Sequence, residues 1–213
     1  MTTTEKKPMA AGAKAILATA AELFSEHDYA ATSINAIATA AGTSKANIFH
    51  HFGSKEGLFL AVLKSAVEET SGLIGTLEDS SASADERVAG FCRGYLRILL
   101  DNAQPHRLVL REMLEHGEEQ GLTLANDVVG NAFARLVALI REGRESGEFR
   151  SEVDPTLAAT LLVGVNVFFF QTVSVLRHLP EVDFADQPER FADGVIDLIL
   201  NGLSKPPTAG ATP

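Results

Sequence analysis

The 213-residue chain is expected to fold as an all-α protein of about nine helices. Three observations predict this. Apolar residues recur at the three- and four-residue intervals of a helical face from Ile16 to Leu203. Helix-starting signals precede the stripes: Ser83 with Glu86 three residues on, and Asp154 followed by Pro155. No segment alternates apolar and polar residues as a half-buried strand does. With 46% hydrophobic residues the chain can bury a substantial core.

The elements follow in order. Ile16, Ala20, Leu23 and Phe24 form the stripe of a first helix over about 10–27. Thr32 and Ser33 can cap a short second helix whose buried face is Ile34, Ile37, Ala38 and Ala41. Gly42-Thr43 signals a tight turn, and Ser44 can cap a third helix, SKANIFHHF, with Ile48 and Phe52 sharing one face. Gly53 ends it. Ser54 caps a fourth helix carrying Leu58, Phe59, Val62, Leu63 and Val67 to about Thr76. The sequence EDSSASAD at 78–85 breaks the pattern. Helices are expected next over about 84–102, from Pro105 to near His116, and through Val129, Phe133, Leu136, Val137 and Ile140 to Ser146-Gly147. Asp154-Pro155 opens an eighth, and Pro188 a ninth with Phe191, Val195, Leu198, Ile199 and Leu203.

Helix, glycine-containing turn and second helix over 33–52 make a helix-turn-helix, an architecture that places one helix end in the major groove of DNA. The motifs are AELF at 21–24, Tyr29, Thr32-Ser33, Ile37-Ala38, Ala41-Gly42-Thr43-Ser44, Asn47-Ile48-Phe49-His50-His51-Phe52 and Ser54-Lys55-Glu56-Gly57-Leu58-Phe59. In order and spacing this run, about 13–63, resembles the DNA-binding domain of the TetR/AcrR family of bacterial transcriptional regulators. Asp28, Thr43 and Phe49 stand where that pattern has Gly, Val and Tyr, and Phe49 lacks the hydroxyl that would reach a phosphate.

The resemblance implies DNA contacts from Thr32, Ser33, Thr43, Ser44, Lys45, Ala46, Asn47, Phe49, His50 and Lys55. Lys45 and Asn47 can read base edges, since Asn pairs bidentately with adenine and Lys donates to guanine or phosphate. Thr32, Ser33 and Lys55 suit phosphate contacts. Charge is unevenly shared. Up to Lys64 six lysines face five acidic groups, a net +1, while beyond it twelve basic residues face twenty-three acidic ones, a net −11. An acidic body behind a near-neutral head favours local contacts over broad non-specific attraction.

The organisation expected is a tail at 1–9, a DNA-binding domain at 10–64, a helical ligand-binding and dimerisation domain at 65–204, and a second tail at 205–213. The run 161–176 is apolar nearly all round but shorter than a span of about 20 residues. Such a helix is buried on two sides, which suggests its own core and a second subunit. The resemblance likewise implies a homodimer through the last two helices, with Leu161, Val165, Phe169, Val173, Leu176, Val195 and Ile199 at the interface. It further implies an inducer pocket for a small hydrophobic ligand, for which Phe91, Tyr95, His106, Met113, Phe133, Val137, Asn166 and Phe169 are candidates, with Gln171 a further polar handle.

Other chemistry finds little support. There is no G-x-S-x-G elbow, phosphate loop or H-E-x-x-H, so no enzyme and no cofactor is expected. His50 and His51 are adjacent and point about 100° apart, which does not suit one metal ion. Glu112 and His116, with Glu115, Glu118 and Glu119, read as a solvated acidic face. Cys92, the single cysteine, sits in an apolar stripe as a buried thiol beside Arg93, fitting a reducing cytoplasm and no membrane. The reading is a transcriptional regulator, most often a repressor in this family, released from an inverted-repeat duplex by its ligand. An activator, a partner-regulated member, or a helical enzyme that has lost DNA binding are the alternatives.

Overall fold

Helices account for every regular element among the described residues of the computed structural model, 11–203; the two expected tails lie outside them. The order is α1 (Ala11–Glu26), α2 (Ile34–Ala40), α3 (Lys45–Phe52), α4 (Lys55–Glu78), α5 (Ala84–Asp101), α6 (Ala103–Glu115), α7 (Gly117–Thr123), a π-helical segment (Leu124–Val129), α8 (Gly130–Glu145), α9 (Pro155–Leu176) and α10 (Pro188–Leu203). From Gly117 to Glu145 the chain runs on as one helix, which leaves nine separate rods among the described residues.

Local chemistry accounts for the boundaries. The Ser83 hydroxyl accepts from the Glu86 N–H while the Glu86 carboxylate accepts from the Ser83 N–H, so the expected capping box closes α5. Asp154 accepts from the N–H groups of Thr156 and Leu157 at 2.8 and 3.2 Å, with Pro155 at the first helical position of α9. Gly42 takes φ 62° in the turn between α2 and α3, a conformation open to glycine at little steric cost.

The chain divides into two compact units. One holds the chain up to Val67 together with Gln104–Val128; the other holds Glu68–Ala103 and the chain from Val129 onward. Of the stretch 65–204 expected as one helical domain, Gln104–Val128 clusters with the chain up to Val67. Long-range polar contacts explain the difference. Arg111 of α6 donates to the Phe24 carbonyl at the end of α1 at 2.8 Å, and Lys64 pairs with Asp127 at 3.3 Å. A guanidinium on a last-turn carbonyl is favoured both as a donor and by the helix dipole. Glu112, expected on a solvated face, is buried with its carboxylate 3.2 Å from His116 Nδ1. In the first unit Phe24 packs edge-on to Phe59 at 4.9 Å and stacks on Tyr29 at 5.9 Å.

In the second unit α5 lies against α8, α9 and α10, and α8 against α9. Glu148 stands before this core and accepts from the Ala84 N–H at 2.8 Å, capping α5 from 64 residues away. That bond, joined by one from the Ser146 hydroxyl, holds its carboxyl below the ordinary carboxylate range. Phe169, expected on the dimer face, is instead fully buried and stacks on Phe191 at 4.2 Å. The apolar α9 turns Phe169 and Phe170 inward and the neighbouring Phe168 outward.

Two outcomes follow for stability. A Cβ on Gly143 would stand 2.7 Å from both Ala84 Cβ and the Phe149 ring, so Gly143→Ala is expected to cost roughly 1–3 kcal/mol in urea unfolding. An unchanged midpoint would contradict that packing. Because the folded carboxyl of Glu148 is depressed, its stabilisation is complete above the unfolded value and is lost as pH falls through the folded one. Glu148→Gln is therefore expected to remove part of the stability loss seen on acidification below about pH 4.5.

Candidate nucleic-acid interface

The eight residues of α3 bury only Ile48, so the helix is nearly all surface. Ser44 caps it: its Oγ accepts from the Asn47 N–H at 3.1 Å. Gly53 closes the other end, its N–H donating to the Phe49 carbonyl at 2.9 Å. Ser33 caps α2 in the same way, accepting from the Ala36 N–H at 3.1 Å. Both serines keep a hydroxyl hydrogen to donate outward, at helix N-termini that attract anions.

Between these caps the expected contact residues are placed unequally. Lys45, Ala46, Phe49 and His50 are exposed, and Thr43 and Asn47 are partly so. The Lys45 ammonium lies 5.6 Å from the centroid of the Phe49 ring. His50 and His51 are both exposed, with ring centroids 5.3 Å apart. Asn47 Nδ2 donates to Thr43 Oγ1 at 2.9 Å. Lys55 is half-buried; its ammonium sits 4.3 Å above the Tyr29 ring and 3.5 Å from the Ala30 carbonyl. Thr32 departs from expectation. It is buried, and its hydroxyl donates inward to the Asp28 carbonyl at 3.2 Å, which takes it away from any phosphate.

The expected ligand-pocket residues fall into both units. His106 and Met113 belong to the first, His106 buried and Met113 exposed. In the second, Phe91, Val137, Asn166 and Phe169 are buried and Phe133 half-buried. Tyr95 stacks on Phe91 at 5.3 Å, and burial pushes its phenol up to about 12. Burial is also the largest influence on the Cys92 thiol and raises it, outweighing Asn166 and Arg93, so the thiolate is disfavoured. A groove in this unit runs between α5 and α10, lined by Arg93, Leu96, Arg97, Leu100, Glu189 and Ala192, none of them among the expected pocket residues. Along α9, Leu161 is exposed and Val165 half-buried, while Val173 and Leu176, expected on the dimer face, pack half-buried against the core of Leu96, Phe169 and Ala192; Val195 and Ile199 of α10 are half-buried.

Sequence reasoning missed the side chains that tie distant segments together. Arg111 to Phe24, Glu148 to Ala84, and Arg135 to Glu78 and Ser71 are 57 to 87 residues apart. No local spacing announces such pairs.

Residues 16–62 match the family model for bacterial regulatory proteins of the tetR family, and residues 85–199 match that for the tetracyclin repressor-like C-terminal domain. Over 200 residues the chain is 27% identical to the HTH-type transcriptional repressor NicS of Pseudomonas putida, covering 89% of this chain and 91% of that one. It is 33% identical over 114 residues to the HTH-type transcriptional regulator RutR of Escherichia coli strain K12, a match spanning 53% of either chain. Among solved structures, the fatty acid degradation regulator FadR from Bacillus halodurans superposes with a TM-score of 0.72 at 22% identity, covering 92% of this chain and 98% of that one. That likeness is one of fold. With one family model on the helix-turn-helix and another across most of the remaining helices, the chain belongs to the TetR family of bacterial regulatory proteins: it is a helix-turn-helix transcriptional regulator and not an enzyme.

Proposed function

We propose that the protein is a cytoplasmic homodimeric repressor that holds an inverted-repeat operator through two α3 helices and leaves it when a small hydrophobic effector binds the second unit. The observation that carries the reading is the exposed strip of Lys45, Ala46, Phe49 and His50 on a capped helix whose single buried residue faces inward. Side chains at the start of such a helix reach base edges, and the serine-capped N-termini of α2 and α3 suit phosphates. The head's net charge of only +1 puts weight on these local contacts.

The outer face of α9 supports the dimer. Leu161, Phe168 and Val175 recur every seven residues, and each is more than half exposed within the chain. That interval keeps one seam turned toward a partner helix. Leu198 of α10, exposed by 76%, is a further large apolar side chain left uncovered within the chain. On this reading the apolar length of α9 serves subunit packing and not a membrane. For the effector, Asn166 is the polar group to watch. Its Nδ2 donates to the Leu162 carbonyl at 2.7 Å, while its Oδ1 has the Cys92 sulfur at 3.9 Å as partner. A thiol is a weak donor, so a ligand hydroxyl or N–H can displace it at small cost.

Three substitutions test the base-reading and backbone roles. Asn47→Ala is expected to cost about 1–3 kcal/mol on the preferred duplex and to relax preference at one position. Lys45→Ala is likewise expected to relax base preference, whereas Lys55→Ala is expected to weaken binding to all duplexes and lower the salt slope by about one. Equal loss on preferred and random duplexes in all three would contradict the division of roles. For the dimer, Phe168→Glu is expected to give folded monomers, whereas Phe169→Glu, with its charge placed in the core, unfolds the chain. Sedimentation and circular dichroism separate the two. A wild-type chain that sediments as a monomer at micromolar concentration would overturn the dimer.

A further inference from the structure

The groove between α5 and α10 lies wholly within the second unit and is built from two short runs of sequence. Its floor is apolar. Leu96 and Leu100 stand one turn apart on α5, and Ala192 of α10 joins them. Leu96 and Ala192 are buried in one cluster with Phe169, and Leu100 packs against that cluster, so the core beneath fixes the floor. The groove encloses about 200 Å³, more than the roughly 150 Å³ that admits a benzene ring.

Charged side chains form the rim. Arg93 is committed to Asp193, its Nε donating to Oδ1 at 2.8 Å. Arg97, one turn further along α5, and Asp101, one turn beyond that, also line the groove. Glu189 lines it from the first turn of α10. Among the described residues, none of these three makes an ion pair or a side-chain hydrogen bond. Side chains four apart are neighbours on a helix surface, so Arg97 and Asp101 are within reach of each other and still stand apart. The rim thus carries one guanidinium and two carboxylates beside an apolar floor.

We infer that this groove binds a small zwitterion with an apolar body, of the class of the aliphatic α-amino acids. Its carboxylate meets Arg97, its ammonium lies between Asp101 and Glu189, and its side chain covers Leu96, Leu100 and Ala192. The site goes beyond the hydrophobic effector proposed above and uses none of the residues expected to hold it. Charge selects the class. An apolar anion would meet Arg97 but bring its charge beside two carboxylates. An apolar amine would satisfy the carboxylates but stand beside the like charge of Arg97. A zwitterion answers all three, since a guanidinium grips a carboxylate through two parallel N–H donors and an ammonium offers three donors to carboxylate oxygens. Exposed ion pairs contribute little singly, and here the buried apolar body adds what they lack.

The test is calorimetric titration of the full-length chain at about pH 6.5, below the ordinary range of an α-amino group, with three ligands. Leucine carries both charges, leucinamide only the ammonium, and N-acetylleucine only the carboxylate. Leucine is expected to bind saturably, and each analogue about tenfold more weakly, the loss that one charge-assisted hydrogen bond accounts for. Arg97→Gln is expected to weaken leucine about tenfold and not to weaken leucinamide. Glu189→Gln and Asp101→Asn are expected to weaken leucine and leucinamide and not to weaken N-acetylleucine. All three positions are exposed, so the variants are expected to unfold at the wild-type urea midpoint. An absence of saturable leucine binding overturns the inference. So does leucine binding that none of the substitutions moves, which would place the ligand elsewhere on the chain. N-acetylleucine binding as tightly as leucine would make the groove an anion site, and leucinamide binding as tightly would make it a cation site. Either result overturns the zwitterion.

Discussion

A helix of eight residues does not persist in water, because too few hydrogen bonds follow the costly first turn. The recognition helix α3 has that length, and Ile48 is its single buried side chain. The arrangement of the first unit can be understood as the means of keeping this short helix folded with its outer face bare. Ser44 and Gly53 satisfy its two ends, and α1 and α2 both pack against it. Gly42, at positive φ, turns the chain sharply enough for α2 and α3 to share one small core. Burying one isoleucine contributes on the order of 1.5–3 kcal/mol, so the helix depends on its neighbours and not on its own propensity.

The first unit's buried set is correspondingly large. Ile16, Ala20, Phe24, Ile37, Leu58, Val62 and Leu63 all lie within the first unit's buried set, and Phe24, Tyr29 and Phe59 form an aromatic group at its edge. Lys55 covers Tyr29 with its ammonium, so the group expected at a phosphate also helps to close this core. The Arg111 bond to the Phe24 carbonyl ties α6 to α1 although 76 residues separate the end of one from the start of the other.

The second unit follows a different rule. Its α5 touches three other helices, and close approach at Gly143 and the Glu148 cap leave little slack around Phe149. The periodic apolar residues of α5, α8 and α10 made these helices plain from sequence, as did the caps Ser83 and Asp154. The face of α9 could not be read in the same way. When nearly every position is apolar, periodicity carries no phase, and Phe168, Phe169 and Phe170 look alike. Only the fold shows that Phe169 and Phe170 turn inward and Phe168 outward. Thr32 eluded the reading for a related reason: a capping hydroxyl and an inward-donating one have the same sequence signature. The turn and cap residues of the helix-turn-helix were readable because their chemistry is local, whereas Glu112, Arg111 and Glu148 depend on partners the chain brings close only after folding.

The central claim is that α3 reads the major groove. The most direct measurement replaces every purine of the selected operator by its 7-deaza analogue, which removes the N7 acceptor from the major groove and leaves minor groove and phosphates intact. The account predicts a marked loss of affinity on that duplex and near-normal affinity when guanine is replaced by inosine, which changes only the minor groove. Undiminished binding to the 7-deaza duplex, together with loss on the inosine one, would contradict it.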